Sequence, residues 1–169
     1  LCFFEKDEEV EKFQEWLDEL LPKIELNEEK FGYQLVVNEK EEIIDQKPYL
    51  LTSAISADID EIYEKVHSLN GLFIPAHVNR GANSLTSQLG FVPPDVKADA
   101  LEISKHVTKE NFIKKNAYLK HFQFIQDSDA HYVHIIGEIY CKLFMEELTF
   151  SEFRKAIHGE EGRKVENII

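Results

Sequence analysis

The stretch at residues 72–80, Leu-Phe-Ile-Pro-Ala-His-Val-Asn-Arg, constrains the fold more than any other part of the chain. Its first three residues form a continuous apolar run, which is typical of a strand buried on both faces. Pro75 cannot donate a ladder hydrogen bond, so we expect the strand to end there. His77 follows at once, which places a titratable side chain at the carboxyl end of a buried strand, where α/β folds carry their sites.

A second stretch repeats this pattern. Residues 122–125 predict another buried strand, and the polar run Asp-Ser-Asp-Ala-His follows at 127–131. Carboxylate oxygen and imidazole nitrogen at this density suit a divalent metal, and the two-residue spacing of Asp129 and His131 lets both face one ion. Two alternatives remain open, because Asp-Ser-Asp is also good turn chemistry and His77 can be a hydrogen-bonded structural residue.

These residues resemble the later motifs of the PHP superfamily, which is named after polymerases and histidinol phosphatase. The motifs are Pro-Ala-His followed by Arg80, Ala-Leu-Glu-Ile-Ser at 100–104 and Ser-Asp-Ala-His at 128–131. The resemblance extends from about residue 1 to about residue 157, with matching order and spacing. It implies an α/β fold, namely the C-terminal portion of a distorted (βα)7 PHP-type barrel, with clustered metal ions at the carboxyl ends of its strands.

The resemblance also implies roles for individual residues. His77, Asp129 and His131 would be ligands of a divalent metal, and Mn, Zn and Fe all accept such mixed ligands. Arg80 would meet the substrate phosphate. Glu102 lies in a predicted strand at 98–104, where alternation places it on the face of Ala100 and Ser104, opposite Leu101 and Ile103.

A buried carboxylate needs a partner, and Glu102 could orient a metal-bound histidine or serve the structure. We favour either role for Glu102 over direct metal ligation.

The chain departs from the PHP pattern at its beginning. The family's early ligands, a His-x-His motif, an Asp-His pair, a Glu and a His, have no counterpart, and the chain opens at Leu-Cys-Phe-Phe without an initiator Met. We therefore expect one PHP-like domain over residues 1–169 that lacks its N-terminal ligand-bearing strands. The implied function is that of a metal-dependent phosphoesterase, incomplete in this chain, which hydrolyses a small phosphoester with a metal-activated water.

Two alternative functions follow from the missing ligands and from the family. The chain could be a non-catalytic structural or interaction fragment that self-associates, since exposed strand edges favour pairing into homo-oligomers. It could also have the nuclease-type PHP activity that accompanies bacterial replicative polymerases. The acidic composition makes the nuclease the least favoured of the three.

Charge and cysteine content narrow the partners and the compartment. The formal net charge is −13, which disfavours nucleic acid and anionic membranes as partners, whereas local cations can still attract a small phosphorylated substrate. Cys2 and Cys141 predict reduced thiols and a cytoplasmic location rather than a disulfide framework. Because no apolar run approaches the length of a membrane span, we expect no membrane helix.

Hydrophobic periodicity predicts the remaining elements. A small hairpin insertion is expected from strands at 31–37 and 42–44, and a loop at 81–90, with a short helix inside it, would either gate the site or merely connect. Helices are predicted at 7–21, 58–69, 109–119 and from Thr149 or Ser151 to 157, and further strands at 1–4, 139–145 and 165–169.

Overall fold

The computed structural model describes residues 1–167. Its helices are α1 (Asp7–Leu20), α2 (Glu28–Phe31), α3 (Ile59–Ser68), α4 (Leu85–Leu89), α5 (Lys109–Lys115) and α6 (Phe150–His158). Its strands are β1 (Cys2–Phe3), β2 (Leu35–Val37), β3 (Ile43–Gln46), β4 (Leu72–Phe73), β5 (Leu101–Glu102), β6 (Phe124–Ile125), β7 (Cys141–Phe144) and β8 (Lys164–Asn167). Short 3-10 turns lie at Ala117–Leu119 and Val133–Ile135. The end of the strand predicted at 165–169 lies outside the described residues.

The chain divides into two compact units. The first contains residues 1–9 and 59–169, and the second contains residues 10–58. Every predicted site residue belongs to the first unit. The prediction of a single domain over the whole chain stays a prediction.

Strand pairing in the first unit brings the ends of β4, β5 and β6 together. β5 pairs in parallel with β6, so both strands end at the same edge. The backbone N–H groups of Asp99 and Glu102 donate to the carbonyl oxygens of Phe73 and Pro75, at 2.9 and 3.1 Å, which places β5 beside β4. The loops that leave these three strands therefore start close to one another.

The predicted PHP-type barrel does not form. Within residues 1–167 the strands pair only in twos, and β1 runs antiparallel to β4, whereas a (βα)7 barrel requires a closed series of parallel neighbours. The strands that flank the site are two residues long, too short to continue a ladder around a closed sheet. The chain is instead a small α/β protein with short two-stranded sheets.

Two apolar clusters hold the first unit together. Leu101 and Ile103 pack in one cluster with Phe112 and Phe124, while Ala100 packs in the other with Leu72. This division confirms the alternation predicted for β5. Gly71 separates α3 from β4 and has no room for a side chain, since a Cβ there would lie 2.6 Å from a ring carbon of Phe4.

Threonine caps and a glycine set helix ends in the first unit. The Thr108 and Thr149 side chains accept hydrogen bonds from the backbone N–H groups of Asn111 and Glu152, as N-caps of α5 and α6 do. Gly159 ends α6 in the left-handed conformation. The helix predicted at 109–119 is shorter than expected, because α5 stops at Lys115 and a 3-10 turn follows.

The second unit contains the predicted hairpin. β2 and β3 pair antiparallel, but β2 begins only at Leu35, because Phe31 ends the short helix α2. Asn27 caps α2 through a hydrogen bond from the Lys30 backbone N–H. Within residues 1–167, no helix is both long enough and apolar enough to cross a membrane.

Candidate functional site

A cavity of about 250 Å³ lies where the loops after β4, β5 and β6 converge. All five predicted site residues line it, although they come from three segments of the chain. The lining consists of His77, Arg80, Glu102, Ser104, Lys105, His106, Asp127, Asp129, His131, Tyr132 and Ile135. Carboxylates, imidazoles and two permanent cations therefore share one small space.

The loop after β4 turns sharply at His77. The backbone of His77 is left-handed, with φ of 30°, which is strained for a residue with a side chain. Hydrogen bonds hold the turn, since the Arg80 N–H donates to the His77 carbonyl oxygen and the Val78 N–H donates to that of Glu102, both at 2.9 Å. Nδ1 of His77 is buried and has no hydrogen-bond partner in the described part of the chain.

Glu102 forms the buried floor of the cavity, with 3% of its surface exposed. Burial raises the pKa of its carboxyl group from 4.5 to about 7, and the negative charge of Asp127 adds to this, while a hydrogen bond from the His77 backbone N–H opposes it. Glu102 thus ties the floor of the cavity to the His77 turn. Its predicted role as a structural or orienting carboxylate stays a prediction.

The loop after β6 presents Asp129 to the loop after β4. Asp129 also has a left-handed backbone, with φ of 45°, and its N–H donates to Oδ1 of Asp127 at 2.7 Å. Nη1 of Arg80 donates to Oδ2 of Asp129 at 2.6 Å, and Nε2 of His131 lies 3.6 Å from the other carboxylate oxygen. The Asp-Ser-Asp sequence therefore forms a turn and also lines the cavity, because Asp127 accepts the hydrogen bond of the turn that positions Asp129.

The predicted metal ligands share this cavity without forming a complete donor set. Among residues 1–167, no group of three or more His, Cys, Asp or Glu side chains is arranged to hold a metal ion. One carboxylate oxygen of Asp129 is already bonded to Arg80. The donor types suit a divalent ion, but their arrangement does not fit one, so the ligand assignment stays a prediction.

Lys105, Tyr132 and Ile135 line the cavity but were not expected there from the sequence. Lys105 follows the predicted strand at 98–104 directly, and its Nζ lies 3.4 Å from the Ser128 carbonyl oxygen. The signal that could have found Lys105 is its place at the carboxyl end of β5, the rule that identified His77. Tyr132 and Ile135 carry no sequence signal of a site.

A second cluster of polar residues lies at the amino end of β5. Nε2 of His67 and Nε2 of His158 lie 2.9 and 2.8 Å from the two carboxylate oxygens of Asp99. The Phe73 backbone N–H donates to Asp99 as well, at 2.7 Å. Burial alone would raise the pKa of Asp99, but hydrogen bonds from His158, Phe73 and His67 lower it below 3.8. We call this arrangement the Asp99 clamp.

Sequence comparison identifies one partial relative. No protein-family model matches the chain. The uncharacterized protein YqxK of Bacillus subtilis (strain 168) is 30% identical over 112 residues, which cover 62% of this chain and 28% of that protein. The chain thus spans less than a third of this relative's length.

Structural comparison identifies a shared fold. The lesion-specific endonuclease PfuEndoQ from Pyrococcus furiosus matches 97% of this chain with a TM-score of 0.65 and 24% identity. An Endonuclease Q complex, with a 27-mer duplex substrate that carries an abasic lesion at the active site, matches 96% with the same score. This chain has the fold of about a third of those proteins, since it covers 36% of each.

These comparisons correct the predicted family. They do not support membership in the PHP superfamily, because no family model matches and the solved structures that the chain resembles are Endonuclease Q. The motifs behind the PHP resemblance are short. Ser-Asp-Ala-His serves the local turn here, with the hydrogen bond between Asp129 and Asp127 as its physical basis.

The comparisons also correct the predicted function and partners. A small-phosphoester phosphatase, or a self-associating fragment, is not what the neighbours indicate, since they are endonucleases and one holds a nucleic acid duplex. The prediction that nucleic acid is disfavoured is wrong. It rested on the net charge of the whole chain, which does not describe the cavity, where Arg80 and Lys105 lie among three carboxylates.

Proposed function

We propose that this chain contributes the phosphate-binding part of the active site in an endonuclease that acts on damaged DNA. The observation that carries the proposal is the cavity at the carboxyl ends of β4, β5 and β6, where Arg80 and Lys105 lie beside buried and exposed carboxylates. The similarity in fold to lesion-specific endonucleases supports it. The activity of the whole protein is part of the proposal, because the chain spans only 36% of those structures.

Arg80 is the residue that would bind the phosphodiester. Its side chain is 46% exposed and is paired with the Asp129 side chain, which is 38% exposed, so solvent screens the pair and a phosphate can compete for it. A guanidinium can donate two parallel hydrogen bonds to phosphate oxygens. Lys105 would add a second positive charge to the same group from the end of β5.

Two imidazoles in the cavity could move the protons that hydrolysis requires. His131 is 75% exposed beside Asp129, and His106 lies on the loop after β5. Imidazole can act as general base toward the attacking water and as general acid toward the leaving oxygen. A divalent metal at His77, Asp129 and His131 stays a prediction.

A cytoplasmic location also stays part of the proposal. Cys2 and Cys141 are both free, which suits a reducing compartment.

Cleavage assays on matched substrates test the proposal. The purified protein is given a duplex with one abasic site and the same duplex without it. We expect Arg80→Ala and Lys105→Ala each to weaken binding by roughly tenfold and to lower the salt dependence of binding, because each removes one phosphate contact. Lys120→Ala is the control, since Lys120 is exposed and lies outside the cavity.

The proposal is wrong if the unmodified protein neither binds nor cleaves either duplex. It is also wrong if Arg80→Ala and Lys105→Ala bind as Lys120→Ala does.

A further inference from the structure

An apolar projection lies at the rim of the cavity. It consists of residues 132–136, which we call the rim loop, with the 3-10 turn Val133–Ile135 at its centre. Tyr132, Val133 and Ile136 are 67%, 86% and 70% exposed. The free energy falls when a partner covers large apolar side chains that are otherwise in water. A projection of this kind therefore marks an interaction site.

Hydrogen bonds order the backbone of the rim loop. Within it, the N–H groups of Ile135 and Ile136 donate to the carbonyl oxygens of Tyr132 and Val133, at 3.0 and 3.2 Å. At its base, Oγ of Ser128 donates to the Ile139 carbonyl oxygen at 3.0 Å and accepts from the Gly137 N–H at 2.9 Å. Its apolar side chains are thus presented in advance, and a partner need not order them.

The rings of the rim loop are placed for stacking. Tyr132 and His134 stack on each other, with ring centres 5.8 Å apart and planes 22° apart. The exposed ring of Tyr132 also lines the cavity that contains Arg80 and Lys105. A ligand with a phosphate at those cations would therefore have its next flat group beside Tyr132.

We infer that the rim loop stacks against an unpaired base of the DNA, next to the phosphate bound by Arg80 and Lys105. The inference rests on the proposed function. It adds one feature of the substrate, namely that the bound nucleotide is unpaired. A nucleotide combines a negative phosphate with an apolar flat base, which matches the two cations in the cavity, Arg80 and Lys105, and the aromatic ring at its rim. A protein partner would match the apolar loop but would leave the adjoining cations unexplained.

Such a contact favours damaged duplexes over intact ones. Unpairing a base costs free energy, and the cost is least where pairing is already lost. An exposed apolar wedge offsets that cost by covering the face of the unpaired base. The rim loop would then contribute selectivity, while the cations contribute affinity that does not depend on sequence.

The experiment compares binding to two duplexes that contain 2-aminopurine, one with the probe paired and one with it unpaired beside an abasic site. Tyr132→Ala should weaken binding to the unpaired duplex by roughly tenfold, with little change for the paired one, because one base–aromatic stack is lost. Quenching of the 2-aminopurine fluorescence should be lost with it. Tyr132→Phe should behave as wild type, because it keeps the ring.

Tyr33→Ala is the matched control. Tyr33 is also 67% exposed, but it lies in residues 10–58, outside the unit that contains the cavity. Thermal unfolding of each variant, followed by circular dichroism, shows whether its fold is intact.

The two proposals fail in different ways. If wild type binds the duplexes and Tyr132→Ala matches it on both, the inference about the rim loop is wrong while the proposed function stands. If Tyr132→Phe loses as much as Tyr132→Ala, the stacking explanation is wrong as well. If wild type binds neither duplex, both proposals fail.

Discussion

Two clusters of histidines and carboxylates lie at opposite ends of β5, and they differ in how fully their polar atoms are bonded. At the amino end, Asp99 is surrounded by donors from His67, His158 and the Phe73 backbone. At the carboxyl end, His77 has a buried nitrogen without a partner in residues 1–167, and Glu102 has a raised pKa.

The same residue types therefore do different work at the two ends. In the Asp99 clamp both carboxylate oxygens are bonded within the protein, which is the mark of a structural site. The cavity keeps unused capacity, strained backbone and perturbed ionisation, which are typical of sites that bind or react. Residue type and spacing do not separate the two clusters, whereas satisfaction of hydrogen bonds does.

Removing the Asp99 carboxylate tests whether the clamp stabilises the fold. We expect Asp99→Ala to lower the free energy of unfolding by about 2–4 kcal/mol, because two histidines and a backbone N–H lose a buried acceptor. Urea unfolding measures the loss. Asp129→Ala is the control and should cost less than about 1 kcal/mol, because its ion pair is exposed. A similar loss of unfolding free energy in both variants would show that the Asp99 clamp does not stabilise the fold more than the cavity does.

Neutralising Glu102 tests whether the cavity contains a buried charge that destabilises the fold. Its pKa is raised from 4.5 to about 7, so the stability that it contributes is present below 4.5 and is lost as the pH rises through 7. Above that, the folded protein contains a buried carboxylate that opposes folding. Glu102→Gln should therefore be more stable than wild type at about pH 8, by on the order of 2 kcal/mol.

At about pH 4 the two proteins should have equal stability, since the carboxyl group is then neutral. Thermal unfolding at both pH values makes the comparison. A gain of the same size at both would mean that packing, and not ionisation, is responsible.

The smallest expected effect concerns His158. A hydrogen bond to Asp99 raises its pKa above 6.5, so its contribution is full below 6.5 and is lost as the pH rises through the higher value in the folded state. Glu160 adds to this rise, whereas burial and the charge of Arg154 oppose it. His158→Gln should cost less than about 1 kcal/mol at about pH 6, since the ring is partly exposed, and still less at about pH 8.

The pH profile of the clamp has an acid limb as well. Asp99 has a lowered pKa, so its contribution is present above 3.8 and is lost as the pH falls through its lower folded value. Urea unfolding of His158→Gln and wild type across this range tests both limbs. A cost of His158→Gln that grew above pH 7 would contradict the assignment.

One local rule locates the candidate site in the sequence. Polar residues that directly follow a buried strand lie at its carboxyl end, and this rule brought His77, Asp129 and His131 to one cavity. It would have brought Lys105 too. The rule could not find Tyr132, because that residue reaches the cavity through a loop whose conformation depends on the Ser128 hydrogen bonds.

Global charge does not describe the charge of the cavity. The net charge of −13 includes acidic residues throughout the chain, such as those of α1, whereas the cavity combines Arg80 and Lys105 with three carboxylates. In salt solution, the interaction between exposed charges that lie more than about 10 Å apart is largely screened. Only the folded arrangement shows which charges are near.

The sequence by itself determined the local features of this protein. Apolar runs, threonine caps and the glycine after α6 specify helices, strands and their ends, because these depend on residues a few positions apart. The tertiary structure alone decided that, within residues 1–167, the strands pair in twos without closing a barrel. It also decided that Asp99 meets His67 and His158, which lie 32 and 59 residues away. Such contacts depend on how distant segments pack, and no local pattern encodes that.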